Sequence, residues 1–162
     1  MAQLMAILNL SPDSFYAPSV VEACPGPDAS GAISRIRAFA DAGASIIDIG
    51  AVSTRPGADD VDPQTEWSRL HPVLHAIREA FPAQDQSEAT FRISIDTTRA
   101  EIVRRAYEVI GPFIVNDISA GVDDPGMLPC VAELGLPYVA MHKRGTPRTM
   151  DKLTHYEGGI ME

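Results

Sequence analysis

The sequence predicts an α/β fold built on a parallel sheet. Three observations carry this: short apolar runs rich in Ile and Val recur along the chain, stretches of helical periodicity lie between them, and the two alternate throughout. Such alternation implies strands joined by right-handed helical crossovers, either in a doubly wound sheet or in a barrel. The apolar runs are Leu4 to Leu8, Ser45 to Ile49, Phe91 to Ile95, Phe113 to Val115 and Pro137 to Met141, and they read as buried parallel strands. The first helical stretch is Ala29 to Ala42, with Ile33, Ile36, Phe39 and Ala40 on one face. The second is Gln64 to Phe81, with Trp67, Leu70, Leu74 and Ile77, followed by Arg99 to Tyr107 and Pro125 to Leu134. Terminal signals agree with these bounds: Asp28 or Ser30 can cap the first helix, Asp62-Pro63 opens the second, and Gly43 and Gly135 lie just past helix ends.

Composition narrows the function classes. A chain of 162 residues, 45% of them apolar, can bury one sizeable core, so one domain is expected. The net charge of -9 repels phosphate backbones and anionic lipid, and no basic patch offsets it, so nucleic-acid and membrane-surface partners are set aside. Only two cysteines occur, Cys24 in a Pro/Gly-rich loop and Cys130 in a helical run, without metal-ligand spacing or disulfide density. A cytoplasmic location is expected. The opening MAQLMAILNL has no positively charged leader and runs straight into SPDSF, which reads as a buried strand rather than a signal peptide.

The polar residues favour a barrel over the doubly wound alternative, because barrel chemistry collects at the C-terminal ends of the strands. Asn9, Asp96 and Asn116 each end an apolar run, and Asp48 shares the parity of Gly50 near the end of its own run. Any one of them reads as a turn former or helix cap. Four on successive strands, followed by long loops, point to a site.

The loop after the first strand, SPDSFYAPSVVEACPGPDAS, is long for a βα connection and has no periodicity of its own, as lids or disordered segments do. The loop after the second strand, VSTRPGADD, places Ser53, Thr54, Arg55 and a Pro56-Gly57 turn at the strand end. Arg55 offers a planar donor fork for phosphate or carboxylate, although a lone loop arginine is commonly a solvated charge. Asp96 is either a cap for the helix near Arg99 or a buried acceptor for paired N–H donors of a flat heterocycle. Asn116 is the stronger candidate, since an amide buried at a strand end needs both donor and acceptor satisfied, as a heterocycle edge would do. Asp117, Ser119 and Gly121 read as the turn beside it. Met141 reads as core and His142 as a satisfied or solvent-facing imidazole. No glycine-rich phosphate loop, zinc spacing or nucleophile elbow occurs.

Five segments, LNLSPDSF, GASIIDIGAVSTRPGA, ISIDTTRAE, IVNDISAG and MHKRGTP, lie in order along nearly the whole chain. Together they resemble successive motifs of dihydropteroate synthase, in that family's order and at compatible spacing. The resemblance implies a (β/α)8 TIM-barrel enzyme of folate synthesis. Such an enzyme joins 6-hydroxymethyl-7,8-dihydropterin diphosphate to p-aminobenzoate, with Mg2+, to give 7,8-dihydropteroate and diphosphate. By resemblance, Asn9 helps hold the Mg2+-diphosphate, and Asp96 and Asn116 form the pterin-recognising pair. Thr54, Arg55 and Pro56 match the loop that meets diphosphate and p-aminobenzoate, which makes Thr54 and Arg55 the candidate catalytic residues. Phe15 matches an aromatic of the p-aminobenzoate pocket, and Met141 joins the substrate-binding set. Bond cleavage running ahead of attack in that family agrees with the lack of a nucleophile.

Departures from the family pattern accompany the match. After DSF the chain continues Tyr16-Ala17-Pro18-Ser19 where the family has Ser-Asp-Gly-Gly, and Ala51-Val52 precede STRPGA where the family has glycine and an acidic residue. A complete (β/α)8 barrel takes roughly 250 residues. Nothing after Met141 reads as a further strand, so residues 1–162 are expected to be the N-terminal portion of a pterin-binding barrel domain, with about the first five strands and four to five helices. The site residues of the family's later strands, and the helices of its usual homodimer, fall outside these five strands. The chain alone is therefore expected to lack synthase turnover. Two other readings stand beside the synthase: the pterin-binding module of a methyltetrahydrofolate-dependent methyltransferase, against which the PDSF and STRPGA loops argue, and a non-catalytic half-barrel.

Overall fold

A computed structural model describes residues 2–11, 29–52, 61–82, 90–145, 149, 153 and 155–159. In chain order these form β1 (Met5–Asn9), α1 (Ala29–Asp41), β2 (Ile46–Gly50), α2 (Pro63–Ala80), β3 (Arg92–Asp96), α3 (Ala100–Ile110), β4 (Ile114–Asp117), α4 (Met127–Leu134) and β5 (Tyr138–Ala140). The strands make one parallel sheet in the order β1-β2-β3-β4-β5. A doubly wound sheet reverses its strand order at a switch point, whereas a barrel adds each strand beside the last. The observed order is that of an arc of a (β/α)8 barrel, with each helix packed on the next.

Strand periodicity then assigns the two faces of the arc. Leu8, Ile47, Ile49, Ile95 and Val115 turn outward and are fully buried under Ile36, Leu70, Leu74, Ile102, Val103 and Met127 of the helices. Full burial of each such side chain contributes about 1.5–3 kcal/mol. The opposite parity carries Ile7, Asn9, Asp48, Gly50, Ser94, Asp96, Ile114, Asn116 and Val139 on the inner face.

Local chemistry sets the element ends. Asp62 Oδ1 accepts from the backbone N–H groups of Gln64 and Thr65, at 3.0 Å each, and Pro63 takes the first helical position of α2 as expected. Ser30 lies inside α1 rather than capping it, and Asp28 falls outside the described residues. Helix α3 runs past the expected Tyr107 to Ile110, because the periodic face continues until Gly111 turns the chain with φ 72°. Gly135 ends α4 in the left-handed region at φ 64°. Strand β4 is longer than its apolar run and takes in Asn116 and Asp117, since ladder bonding continues past the hydrophobic residues. Strand β5 is shorter than Pro137 to Met141, although the Pro137 carbonyl accepts from Val115 N at 2.9 Å and Met141 N donates to Asp117 O at 3.0 Å. Among the described residues no helix is long and apolar enough to cross a membrane.

Candidate functional site

Strand register alone draws the site. Asn9 pairs with Gly50, Gly50 with Asp96, Asp96 with Asn116 and Asn116 with Val139, so one row crosses all five strands at their C-terminal ends. Residues in register on parallel strands project to the same face. Asn9, Asp96 and Asn116, expected from the sequence as site residues, are thereby brought into one line. The second strand contributes Gly50 to that line, and Asp48 sits one layer below with Ile7, Ser94 and Ile114.

Gly50 leaves a gap in the row. A Cβ placed there would lie 3.5 Å from Asp96 Oδ2 and 3.7 Å from Asn9 Oδ1, in ordinary contact with both. An amide oxygen and a carboxylate oxygen thus overhang a bare stretch of backbone from either side.

Asp96 is not the helix cap that its sequence context allowed. Helix α3 starts after Arg99; its Ala100 N–H donates to Asp124 Oδ2 at 2.7 Å, and Arg99 N donates to Thr97 Oγ1 at 3.3 Å. Burial, with smaller contributions from the negative charges of Asp48, Glu66 and Asp117, raises the Asp96 carboxyl from 3.8 to about 7. No described residue donates a hydrogen bond to it. A half-buried acceptor without a donor, beside a gap, is a place for a ligand that brings its own N–H groups.

Asn116 is held from beneath. Its Nδ2 donates to Asp48 Oδ2 at 3.0 Å, across strand β3. Burial raises the Asp48 carboxyl above its ordinary range, against the opposing effects of the Ser94 hydroxyl and the Asn116 amide. Ser94 sits close enough to act on Asp48, yet neither Asp48 Oδ1 nor Ser94 Oγ meets hydrogen-bond geometry with any partner. The carboxylate is 4% exposed.

Behind the row, Glu66 of α2 is buried and accepts from Thr97 Oγ1 at 2.6 Å and from Arg99 Nη1; Arg99 Nη2 donates to the Val61 carbonyl at 2.6 Å. This network ties the end of β3 to the start of α2. Neither Glu66 nor Ser94 was singled out by sequence. Ser94 carried a signal, being the one polar residue between Ile93 and Ile95, on the parity of Asp96. Glu66 sits one position from Trp67 in a helix whose exposed side is polar, and only its contacts reveal it.

The turn after β4 is as expected. Asp117 Oδ1 accepts from Ser119 N at 2.7 Å, and Oδ2 accepts from Gly121 N at 2.8 Å and from Tyr138 Oη at 2.7 Å. Met141 departs from its expected place in the core: it lies just beyond β5, on the parity of Val139, and is 40% exposed. The five strands among the described residues leave it part-exposed on the inner face. His142 is exposed, as expected, with its Nε2 2.8 Å from Tyr156 Oη. Phe15, Ser53, Thr54, Arg55, Pro56, Gly57 and Cys24 lie outside the described residues. Among the described residues no cluster of three or more His, Cys, Asp or Glu side chains could hold a metal ion.

Comparison with known proteins agrees with this geometry. Residues 5–162 match the family model described as Pterin binding enzyme. The mitochondrial folate synthesis bifunctional protein of Arabidopsis thaliana is 45% identical over 147 residues, covering 91% of this chain and 24% of that protein. A dihydropteroate synthase of Synechocystis sp. is 40% identical over 153 residues, covering 94% of this chain and 48% of the relative. In three dimensions the chain resembles the dihydropteroate synthase of Yersinia pestis, solved as a sulfonamide drug complex. The TM-score is 0.78 and the identity 33%, over 96% of this chain and 51% of that one. The chain therefore spans about half the length of both synthases.

Proposed function

Because the chain belongs to the pterin binding enzyme family, we propose that it supplies the pterin and diphosphate side of a dihydropteroate synthase site. The reaction is the condensation of 6-hydroxymethyl-7,8-dihydropterin diphosphate with p-aminobenzoate to 7,8-dihydropteroate and diphosphate. The observation that carries this reading is the single row of Asn9, Gly50, Asp96 and Asn116 across four strand ends. A pterin is flat and presents ring and exocyclic N–H donors beside acceptors along one edge. Asp96 offers the acceptor without a donor that such an edge satisfies, and Asn116 offers an amide whose carbonyl oxygen receives no hydrogen bond from a described residue. The bare backbone at Gly50 lets a planar ring approach closely between Asn9 and Asp96.

The donor chemistry at Asn9 fits Mg2+. An amide oxygen is a hard ligand, and Mg2+ keeps several waters and takes its remaining ligands from substrate phosphates, so one protein oxygen beside the gap is enough. When bound, the ion would neutralise the charge that develops on the departing diphosphate. Thr54 and Arg55, by their resemblance to the family's second loop, would hold that diphosphate, with Pro56 and Phe15 shaping the p-aminobenzoate pocket and Met141 lining the substrate site. In this reading the carbon–oxygen bond to diphosphate breaks, the arylamine nitrogen bonds to the pterin methylene carbon, and the amine loses a proton. The protein's part is to position the pterin and to present fixed donors and acceptors, and no covalent intermediate is required.

The test is calorimetric titration of the chain with 6-hydroxymethyl-7,8-dihydropterin. Asn116→Ala is expected to weaken binding by about tenfold or more, the worth of one buried hydrogen-bonded amide. Equal affinity in variant and parent would remove Asn116 from the site.

A further inference from the structure

Asp48 does no chemistry in the reading above, and it belongs to none of the expected substrate contacts. Yet it is a carboxylate buried on the inner face one layer beneath the row, with one oxygen taken by Asn116 Nδ2 at 3.0 Å and the other unsatisfied beside the equally unsatisfied Ser94 hydroxyl. Keeping a charge-bearing side chain and two orphan polar atoms in a core is costly, and the cost is ordinarily met by a role. The geometry points to one: we propose that Asp48 is a positioning residue that fixes which end of the Asn116 amide faces the ligand.

An asparagine amide is nearly symmetric in shape and opposite in chemistry at its two ends. Left free, it can turn over and offer either N–H or C=O. The amide nitrogen faces Asp48 Oδ2 and donates to it, and the carbonyl oxygen is then turned away from the floor. No described residue donates to that oxygen. The row would thus present two acceptors to a bound heterocycle, the Asp96 carboxylate and the Asn116 carbonyl. Their neighbours in the register, Gly50 and Val139, bring no side-chain donor. Asp48 takes one N–H of the Asn116 amide, and the carbonyl oxygen, turned to the ligand, favours an N–H donor opposite it over a carbonyl. This deepens the pterin reading and rests on it, because it specifies that an amino-substituted edge is preferred over its oxo analogue.

The experiment compares two pteridines that differ in that group, 2-amino-4-oxopteridine and 2,4-dioxopteridine, binding by calorimetry to parent, Asp48→Asn, Asp48→Leu and Asp48→Ala. The parent is expected to favour the amino compound by about tenfold or more, the penalty for facing two acceptors. Asp48→Asn keeps an oxygen for Asn116 and adds an N–H for Ser94, so it should retain the preference. Asp48→Leu should bring the two affinities to within about threefold, and Asp48→Ala provides the same truncation should leucine disturb folding. A merely structural role would weaken both ligands alike and leave their ratio at the parent value, which overturns the proposal.

A second readout separates this from the pterin reading. In the parent and in Asp48→Asn the Asn116 side-chain amide protons should exchange slowly with solvent by NMR, and in Asp48→Leu rapidly. Equal exchange in all variants overturns the lock. Slow exchange in a parent that binds neither pteridine upholds the lock and overturns the pterin reading instead.

Discussion

At the scale of single residues, Asp96 has the most consequential surroundings. Its carboxyl is raised from 3.8 to about 7, chiefly by burial and secondarily by Asp48, Glu66 and Asp117. A group that holds its proton more tightly in the folded chain than in the unfolded one destabilises the fold as it ionises. That cost grows from about pH 4 to about pH 7 and is complete above it. Asp96→Asn removes the cost, so its thermal midpoint is expected to match the parent's below pH 4. At pH 8 it should exceed the parent's by several degrees, corresponding to on the order of 2 kcal/mol after solvent screening. Scanning calorimetry at the two pH values decides it, and a pH-independent difference would show that the carboxyl is not held this way. A stabilising change at a candidate site residue is what a site that trades stability for binding would show. Asp96 was legible in the sequence as a polar residue at the end of an apolar run, but its two roles, cap or acceptor, were not separable there. What separated them was Asp124, 28 positions away, whose carboxylate accepts from Ala100 N.

Between elements, the last strand is fastened by side chains as well as by its ladder. Strand β5 has three residues, and Tyr138 within it donates to the buried Asp117 at the end of β4, at 2.7 Å. Burial tends to raise the Asp117 carboxyl, but hydrogen bonds from Tyr138, Ser119 and Gly121 outweigh it and hold the group below its ordinary value. Tyr138→Phe is expected to cost about 1–2 kcal/mol, seen as a lower urea midpoint at unchanged slope near neutral pH. A group with a lowered value contributes stability above its unfolded value and loses it as pH falls, so the deficit should narrow as Asp117 protonates below pH 4. An unchanged urea midpoint would mean that the ladder alone holds β5. The strands themselves were readable from apolar runs, with bounds shifted by a residue or so, because periodicity reports burial and a ladder can outrun it. Asn116 and Asp117 belong to β4 for that reason, and α3 outran its expected end until Gly111 stopped it.

For the whole molecule, the decisive property is the difference between the two faces of the sheet. The outer face is sealed by four helices, while the inner face leaves Ile7 53% and Val139 44% exposed. Apolar side chains exposed beside both edge strands favour association. The chain is expected to self-associate with rising concentration, and Ile7→Lys on edge strand β1 should reduce this in sedimentation velocity. Identical profiles for variant and parent would locate the contact elsewhere. The barrel arc was readable in advance because polar residues gathered at successive strand ends. Asp48 was readable by its parity with Gly50, but its partners became clear only once register placed Ser94 beside it and the Asn116 amide was seen to donate to it.

The sequential strand order also bears on how the chain is made. No pairing in the sheet has to wait for anything beyond the next strand, since each crossover delivers its strand directly beside the one before it. Assembly can therefore keep pace with synthesis, each emerging unit docking on a finished neighbour and capping the edge that would otherwise invite misfolding. The row of strand ends grows in the same motion, Asn9, Gly50, Asp96 and Asn116 falling into line in the order in which the ribosome releases them.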